Sequence, residues 1–133
     1  MVKAVIQSGK RKSSIARAVA RKGKGVVRIN SINLNACQSK FVRDFMAEPV
    51  KMAEKYMDKI DINVIVEGGG PMGQAEAART AIAKAIVNYT DSEELKKMFM
   101  EYDRTLLVSD TRRKEPKKQL GRGARKKRQK SYR

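Results

Sequence analysis

GGGPMG, from Gly68 to Gly73, follows an apolar alternating stretch and precedes a long alanine-rich one, so its glycines stand where chains cradle phosphate. Letter for letter it is a GxGxxG. The dinucleotide reading fails on context, because the preceding strands do not alternate with helices and the acid at the right distance, Asp91, opens a helix. The P-loop reading fails on chemistry. Gln74 and Ala75 stand where a phosphate-binding lysine and a magnesium-binding hydroxyl belong. Two readings stay open: flexible Gly68 to Gly70 letting backbone amides and the start of the helix approach an RNA phosphate, with Arg79 one or two turns along, or a tight strand-to-helix turn without a ligand.

Other chemistry is scarce. The chain has no histidine, which removes the commonest neutral-pH general base, the Ser/His triad and most zinc sites. The acidic neighbours Glu93 and Glu94, and Asp58 and Asp61, fit helix starts and solvated faces better than an acid–base pair. Cys37, the single cysteine, permits no internal disulfide and reads as small core filler in a reducing compartment. No catalytic residue, metal site, cofactor or small-molecule substrate is expected.

Charge carries the rest. Of 133 residues, 31 are Lys or Arg and 14 are Asp or Glu, a net charge of +17. The first 28 residues hold nine basic and no acidic side chains, residues 29–110 hold ten against thirteen, and residues 111–133 hold twelve against one. Two cationic ends around a near-neutral middle predict a compact body, 1–110, with a basic face, and an arm, 111–133, that stays unfolded until it meets a polyanion. Gly121, Gly123, Pro116 and Tyr132 are interleaved with that arm's cations, as in segments that thread along phosphates. Membrane binding is not expected, since the arm offers only Leu120, Ala124 and Tyr132 as apolar contacts. No run of spanning length and no signal-peptide pattern appears, so a cytosolic protein is expected.

The elements that position these charges follow from periodicity. Val2 to Gln7 reads as a strand, and IARAVAR places Ala16, Ala18 and Ala20 opposite Arg17, Val19 and Arg21. KGKG supplies a turn, and VVRIN then completes a hairpin with the preceding strand, putting Arg17, Arg21 and Arg28 on one basic face. Phe41, Val42, Phe45 and Met46 mark a short helix, and Pro49 opens a second, with Val50, Ala53, Tyr56 and Met57 buried. IDINVIVEG is a strand with Ile60, Ile62, Val64 and Val66 on one face. The next helix packs Ala78, Ile82, Ala85 and Ile86, and a Thr90–Glu93 capping box starts the last, through Tyr102. The order is βββααβαα and a tail, with residues 104–110 either a last strand or an extended exit.

Three stretches together resemble the universal small-subunit ribosomal protein nine family in its archaeal and eukaryotic form: SGKRKSSIARA from Ser8, GGGPMGQAEAARTAIAKAI from Gly68 and the ending QKSYR. The ending departs from the bacterial Ser, Lys, Arg. The resemblance spans the chain and implies an α/β two-layer fold of the ribosomal protein S-five domain-two-like kind. Its four-stranded mixed sheet carries helices on one face and a left-handed βαβ crossover. It implies a body that binds ribosomal RNA in the head of the small subunit beside neighbouring head proteins, and a tail that reaches the anticodon stem-loop of peptidyl-site transfer RNA. Carried onto this sequence, ribosomal RNA falls to Lys10, Arg11, Lys12, Arg17, Gly69, Gly70, Arg79, Arg112, Arg113, Lys117, Lys118, Arg122 and Arg125. Transfer RNA falls to Lys127, Arg128, Lys130, Ser131, Tyr132 and Arg133.

Overall fold

The computed structural model describes residues 3–37 and 39–132, so Val2, Arg133 and their expected roles lie outside the described residues. Five strands form one mixed sheet: β1 (Ala4–Arg11), β2 (Ser14–Lys22), β3 (Val27–Ile29), β4 (Ile32–Asn33) and β5 (Ile60–Glu67), in the spatial order β1-β2-β5-β3-β4. The helices are α1 (Lys40–Met52), α2 (Glu54–Met57), α3 (Pro71–Thr90) and α4 (Glu93–Tyr102). The alternation read from the sequence decides the layers. Ala16, Ala18, Ala20, Val27, Ile29, Ile60, Ile62, Val64 and Val66 are buried, while Arg17, Arg21 and Arg28 are exposed on the opposite face.

The expected hairpin of the second and third strands does not form. Instead β2 turns back on β1 through Lys12 and Ser13, and its other edge pairs antiparallel with β5. The third strand passes to the far side of β5, where it pairs parallel. The cause lies more than thirty residues downstream. Asp61 on β5 accepts hydrogen bonds from the Lys24 and Val26 amides at 2.8 and 2.9 Å, and the Gly23 amide donates to the Lys59 carbonyl at 3.0 Å. These bonds carry the glycine-containing turn across the end of β5. The Val26 and Lys24 amides also hold the Asp61 carboxyl below its ordinary pKa.

The fifth strand is β4, where four were expected in all. Asn30 and Ser31 both take positive φ, 48° and 70°, the backbone of a two-residue β-hairpin turn. Asn30 also ties this turn to β5, its side-chain oxygen accepting from the Val66 amide at 2.9 Å.

Pro49 does not start a helix but sits inside α1, which runs on to Met52. A proline there forfeits a backbone bond to Phe45, and packing compensates: α1 lies on α3 and buries Met46, Ala47 and Pro49. Beyond the break at Ala53, Met57 is buried as expected, Tyr56 is only half-buried, and Phe41 is 68% exposed and outside the core. The cap of α4 is Ser92, which accepts from the Leu95 amide at 3.4 Å, and not Thr90. The Thr90 hydroxyl instead donates back to the Ile86 carbonyl at 2.9 Å, inside α3.

Alanines let α3 sit between the sheet and α1. Ala75, Ala77, Ala78, Ala81, Ala83 and Ala85 are all at most 1% exposed. The approach to β1 is closest at Gly9, where a Cβ would stand 2.1 Å from the Ala77 carbonyl oxygen and 2.7 Å from the Ala81 nitrogen. Both are helix backbone and cannot yield locally. Gly9→Ala is therefore expected to lever α3 off the sheet and cost about 2–3 kcal/mol of stability, read as a lower urea midpoint. A midpoint equal to the parent's would show that the helix shifts freely.

Candidate nucleic-acid interface

The cations fall into three places. The first is the end of the body where the β1–β2 turn meets the glycine loop. Gly68 and Gly69 have φ of 77° and 66°, and a Cβ on them would lie 2.6 Å from the Ser13 carbonyl oxygen and 2.1 Å from Ser14 Oγ. The buried Ser14 hydroxyl donates to the Gly68 carbonyl at 2.9 Å and Gln74 Nε2 donates to it at 3.1 Å. Tight packing thus explains the first two glycines without a ligand. Gly70 is different: a Cβ there would meet nothing within 4 Å. Pro71, the first residue of α3, brings no amide. Beside the exposed start of α3 lies an open hollow of about 370 Å³, lined by Lys12, Ser13, Gly69, Gly70, Met72 and Glu76 among others.

The second place is the bare face of the sheet. Register aligns Arg17 with Ser8 on one side and Ile65 on the other, and Arg28 with Asn63. Lys10, Arg17, Arg21 and Arg28 are exposed there together with Ile6, Ile15 and Ile65. The alternation that gave Arg17 also gave Arg21 and Arg28, which the site assignment from sequence omits.

The third place is the tail. Residues 111–132 contain no helix or strand, and Arg113, Lys117, Lys118, Arg122, Lys127, Arg128, Lys130, Ser131 and Tyr132 are exposed. Arg125 is also solvent-facing, yet forms a two-bond pair with Glu115 at 2.7 and 2.9 Å, so the tail bends back between them. That pairing lowers the Glu115 pKa.

Two residues assigned to RNA are inside. The Arg79 side chain is only 7% exposed and bridges Glu48 of α1, at 2.5 Å, to Asp103 after α4, at 3.0 Å. Its guanidinium lies 4.6 Å from the centre of the Phe45 ring. It reads as an internal strut between helices, because its position on α3 faces Glu48 of α1 and the α4 exit instead of an RNA phosphate. Burial of Asp103 opposes ionisation, but hydrogen bonds from Thr105 and Arg79 outweigh it and lower its pKa. Arg11 is 17% exposed, paired with Glu76 and, at 2.9 Å, with Asp110. Lys10, Lys12 and Arg17 remain open.

The end of the body, the sheet face and the tail thus present cations around a small core. The sequence matches the family described as Ribosomal protein S9/S16 over residues 9–133. The chain belongs to that family. Among its relatives, the small ribosomal subunit protein uS9 of Thermoplasma acidophilum is 53% identical over 97% of this chain and 100% of its own length. That of Thermoplasma volcanium is 52% identical over 97% of this chain and 98% of its own. That of Methanococcus vannielii is 48% identical over 99% and 100%. These are archaeal proteins, as the SYR ending suggested. Membership of the S9/S16 family makes the chain a ribosomal protein and not an enzyme, and places it in the ribosome. Among the described residues no helix is long and apolar enough to cross a membrane.

Proposed function

We propose that this S9/S16 family member is a structural protein of the small ribosomal subunit, binding ribosomal RNA in the subunit head and sending its tail toward peptidyl-site transfer RNA. The observation that carries the reading is near-full-length similarity to small-subunit proteins, joined to the clustering of exposed cations on surfaces. In the body Lys10, Lys12 and Arg17 meet phosphates, with Gly70, which has open space around it, letting the start of α3 come close to the RNA backbone. In the tail Arg113, Lys117, Lys118, Arg122 and Arg125 follow ribosomal RNA, while the Arg112 guanidinium is turned back onto Asp110. Arg125 does so after exchanging Glu115 for phosphate. Neighbouring head proteins complete the surroundings. The fold is read as the S-five domain-two-like kind; the parallel β3–β5 pair joined through α1 and α2 supports a βαβ crossover, and its left hand is what the family resemblance implies.

The tail's end is assigned to the anticodon stem-loop. Twenty-three residues span up to about 75 Å when extended, so a tail leaving at Asp110 reaches well past the body. Lys127, Arg128 and Lys130 follow a backbone, Ser131 offers a hydroxyl, Tyr132 stacks, and Arg133 grips phosphate with two parallel bonds. Deleting Ser131 to Arg133 is expected to leave incorporation into subunits intact and to speed transfer-RNA dissociation, by roughly 1–3 kcal/mol for a charge-assisted contact. Rates measured for several transfer RNAs should change alike, since the contact reads backbone. Unchanged rates would confine the tail to ribosomal RNA. Sedimentation tests the wider reading: nearly all the protein should travel with small subunits, and a mostly free pool would favour an independent nucleic-acid-binding factor.

A further inference from the structure

The tail does not leave the body at a loose end. Asp103 is held by Arg79, the Thr105 carbonyl accepts from the Thr80 hydroxyl at 3.1 Å, and Leu106 is fully buried. Lys84 then donates both to Ser109 Oγ and to the Ser8 carbonyl of β1, each at 3.2 Å. Ser8 lies on an edge strand, so this lysine joins the exit segment to the sheet's open edge. At Asp110 the chain makes a single parallel β-bridge to Arg11, the last residue of β1. Beyond it, residues 111–120 are all exposed.

Asp110 is the last fixed point, and its side chain is only 18% exposed. One carboxylate oxygen lies 2.9 Å from Arg11 Nη1. The carboxylate also accepts three side-chain bonds from Arg112, at 2.7–3.1 Å, and the Arg112 backbone amide at 2.9 Å. The last bond closes an Asx turn, which sets the chain's direction over 110–112. Arg11 is in turn steadied by Glu76 of α3. Those Arg112 bonds, with the charge of Arg11, keep the Asp110 carboxyl well below the ordinary carboxylate range, so the grip stays ionised at neutral pH.

We propose that Asp110 is a positioning residue: held by Arg11 and holding Arg112, it fixes the direction in which the tail leaves the body, and Arg11 serves that grip rather than a phosphate. The inference deepens the proposed function, on whose assignment of the tail as an RNA-seeking arm its purpose rests. An arm launched from a fixed point toward a fixed target searches less volume than one whose root swings, so its ends meet their ligand at higher effective concentration. Releasing 104–110 would lengthen the arm and erase its aim at once.

The test uses the full chain with Cys37→Ser, spin-labelled after Asn88→Cys on α3 and Lys114→Cys just past the turn. The expected result is one narrow distance distribution, at least twofold broader after Asp110→Ala and only partly narrowed again by Asp110→Glu, which keeps the carboxylate but cannot close the Asx turn. Arg112→Ala, at a residue 81% exposed, should broaden it too and guards against an Asp110 variant that fails to fold. In assembled small subunits, a hydroxyl-radical source tethered after Ser131→Cys should cut a compact set of nucleotides, the strongest cut falling at least threefold with Asp110→Ala. A merely stabilising aspartate would lower the melting temperature and leave both readouts unmoved. Unchanged distance widths, or broadened widths with an unchanged cleavage pattern, would overturn the proposal. Failure to sediment with small subunits would instead count against the proposed function, and the distance measurement would still decide the role of Asp110.

Discussion

Affinity for ribosomal RNA falls by about a thousandfold when monovalent salt is raised from about 50 to about 200 mM, if roughly six phosphates are neutralised. The expectation rests on where the open cations are. Lys10, Lys12 and Arg17 on the body, and Arg113, Lys117, Lys118, Arg122, Lys127, Arg128 and Lys130 in the tail, are solvent-facing, so each can displace a condensed counterion on binding. Arg11 and Arg79 should contribute nothing to the slope, because their charges are already answered by Glu76 and Asp110, and by Glu48 and Asp103. Reversing Lys10, Lys12 and Arg17 to Glu should flatten the slope and block assembly, since repulsion replaces attraction at three positions. Equilibrium binding to the isolated RNA across a salt series measures it. A nearly salt-independent affinity would remove the electrostatic account altogether.

Arg79→Ala is expected to destabilise the fold by about 3 kcal/mol while leaving the RNA affinity of the folded fraction unchanged. The substitution removes a side chain only 7% exposed, and with it the common partner of Glu48 and Asp103. Their carboxylates, about a third exposed, are then left close together without a cation, and water screens part of that penalty, which keeps the figure at the lower end for a broken buried pair. Loss of the guanidinium over Phe45 adds to it. Arg79→Lys should recover only part, because a single ammonium cannot fork between α1 and the α4 exit. Urea denaturation and RNA titration of the same preparations separate the two effects. An Arg79→Ala protein of parental stability with weakened RNA binding would return Arg79 to the interface.

The sequence by itself determined the layers and the uneven distribution of charge. A period of two in Ser14–Lys22 and Ile60–Glu67 leaves one face apolar in any antiparallel pairing, so the buried and exposed sets were legible before any contact was known. Net charge is additive along the chain, which is why the cationic ends could be read directly. Missing histidine and the wrong residues after the glycine loop excluded chemistries that need particular atoms. Tertiary structure alone decided what depends on partners distant in sequence. The KGKG turn looks like a hairpin because turn propensity is local, and only Asp61, bonding the Lys24 and Val26 amides, carries the third strand across β5. Pro49 reads as a helix start until the packing of α1 on α3 offsets its lost bond. Arg11 and Arg79 look like their neighbours in composition. Whether an arginine meets solvent or carboxylates is fixed by which elements close over it, and here those elements are α1, the α4 exit and the root of the tail.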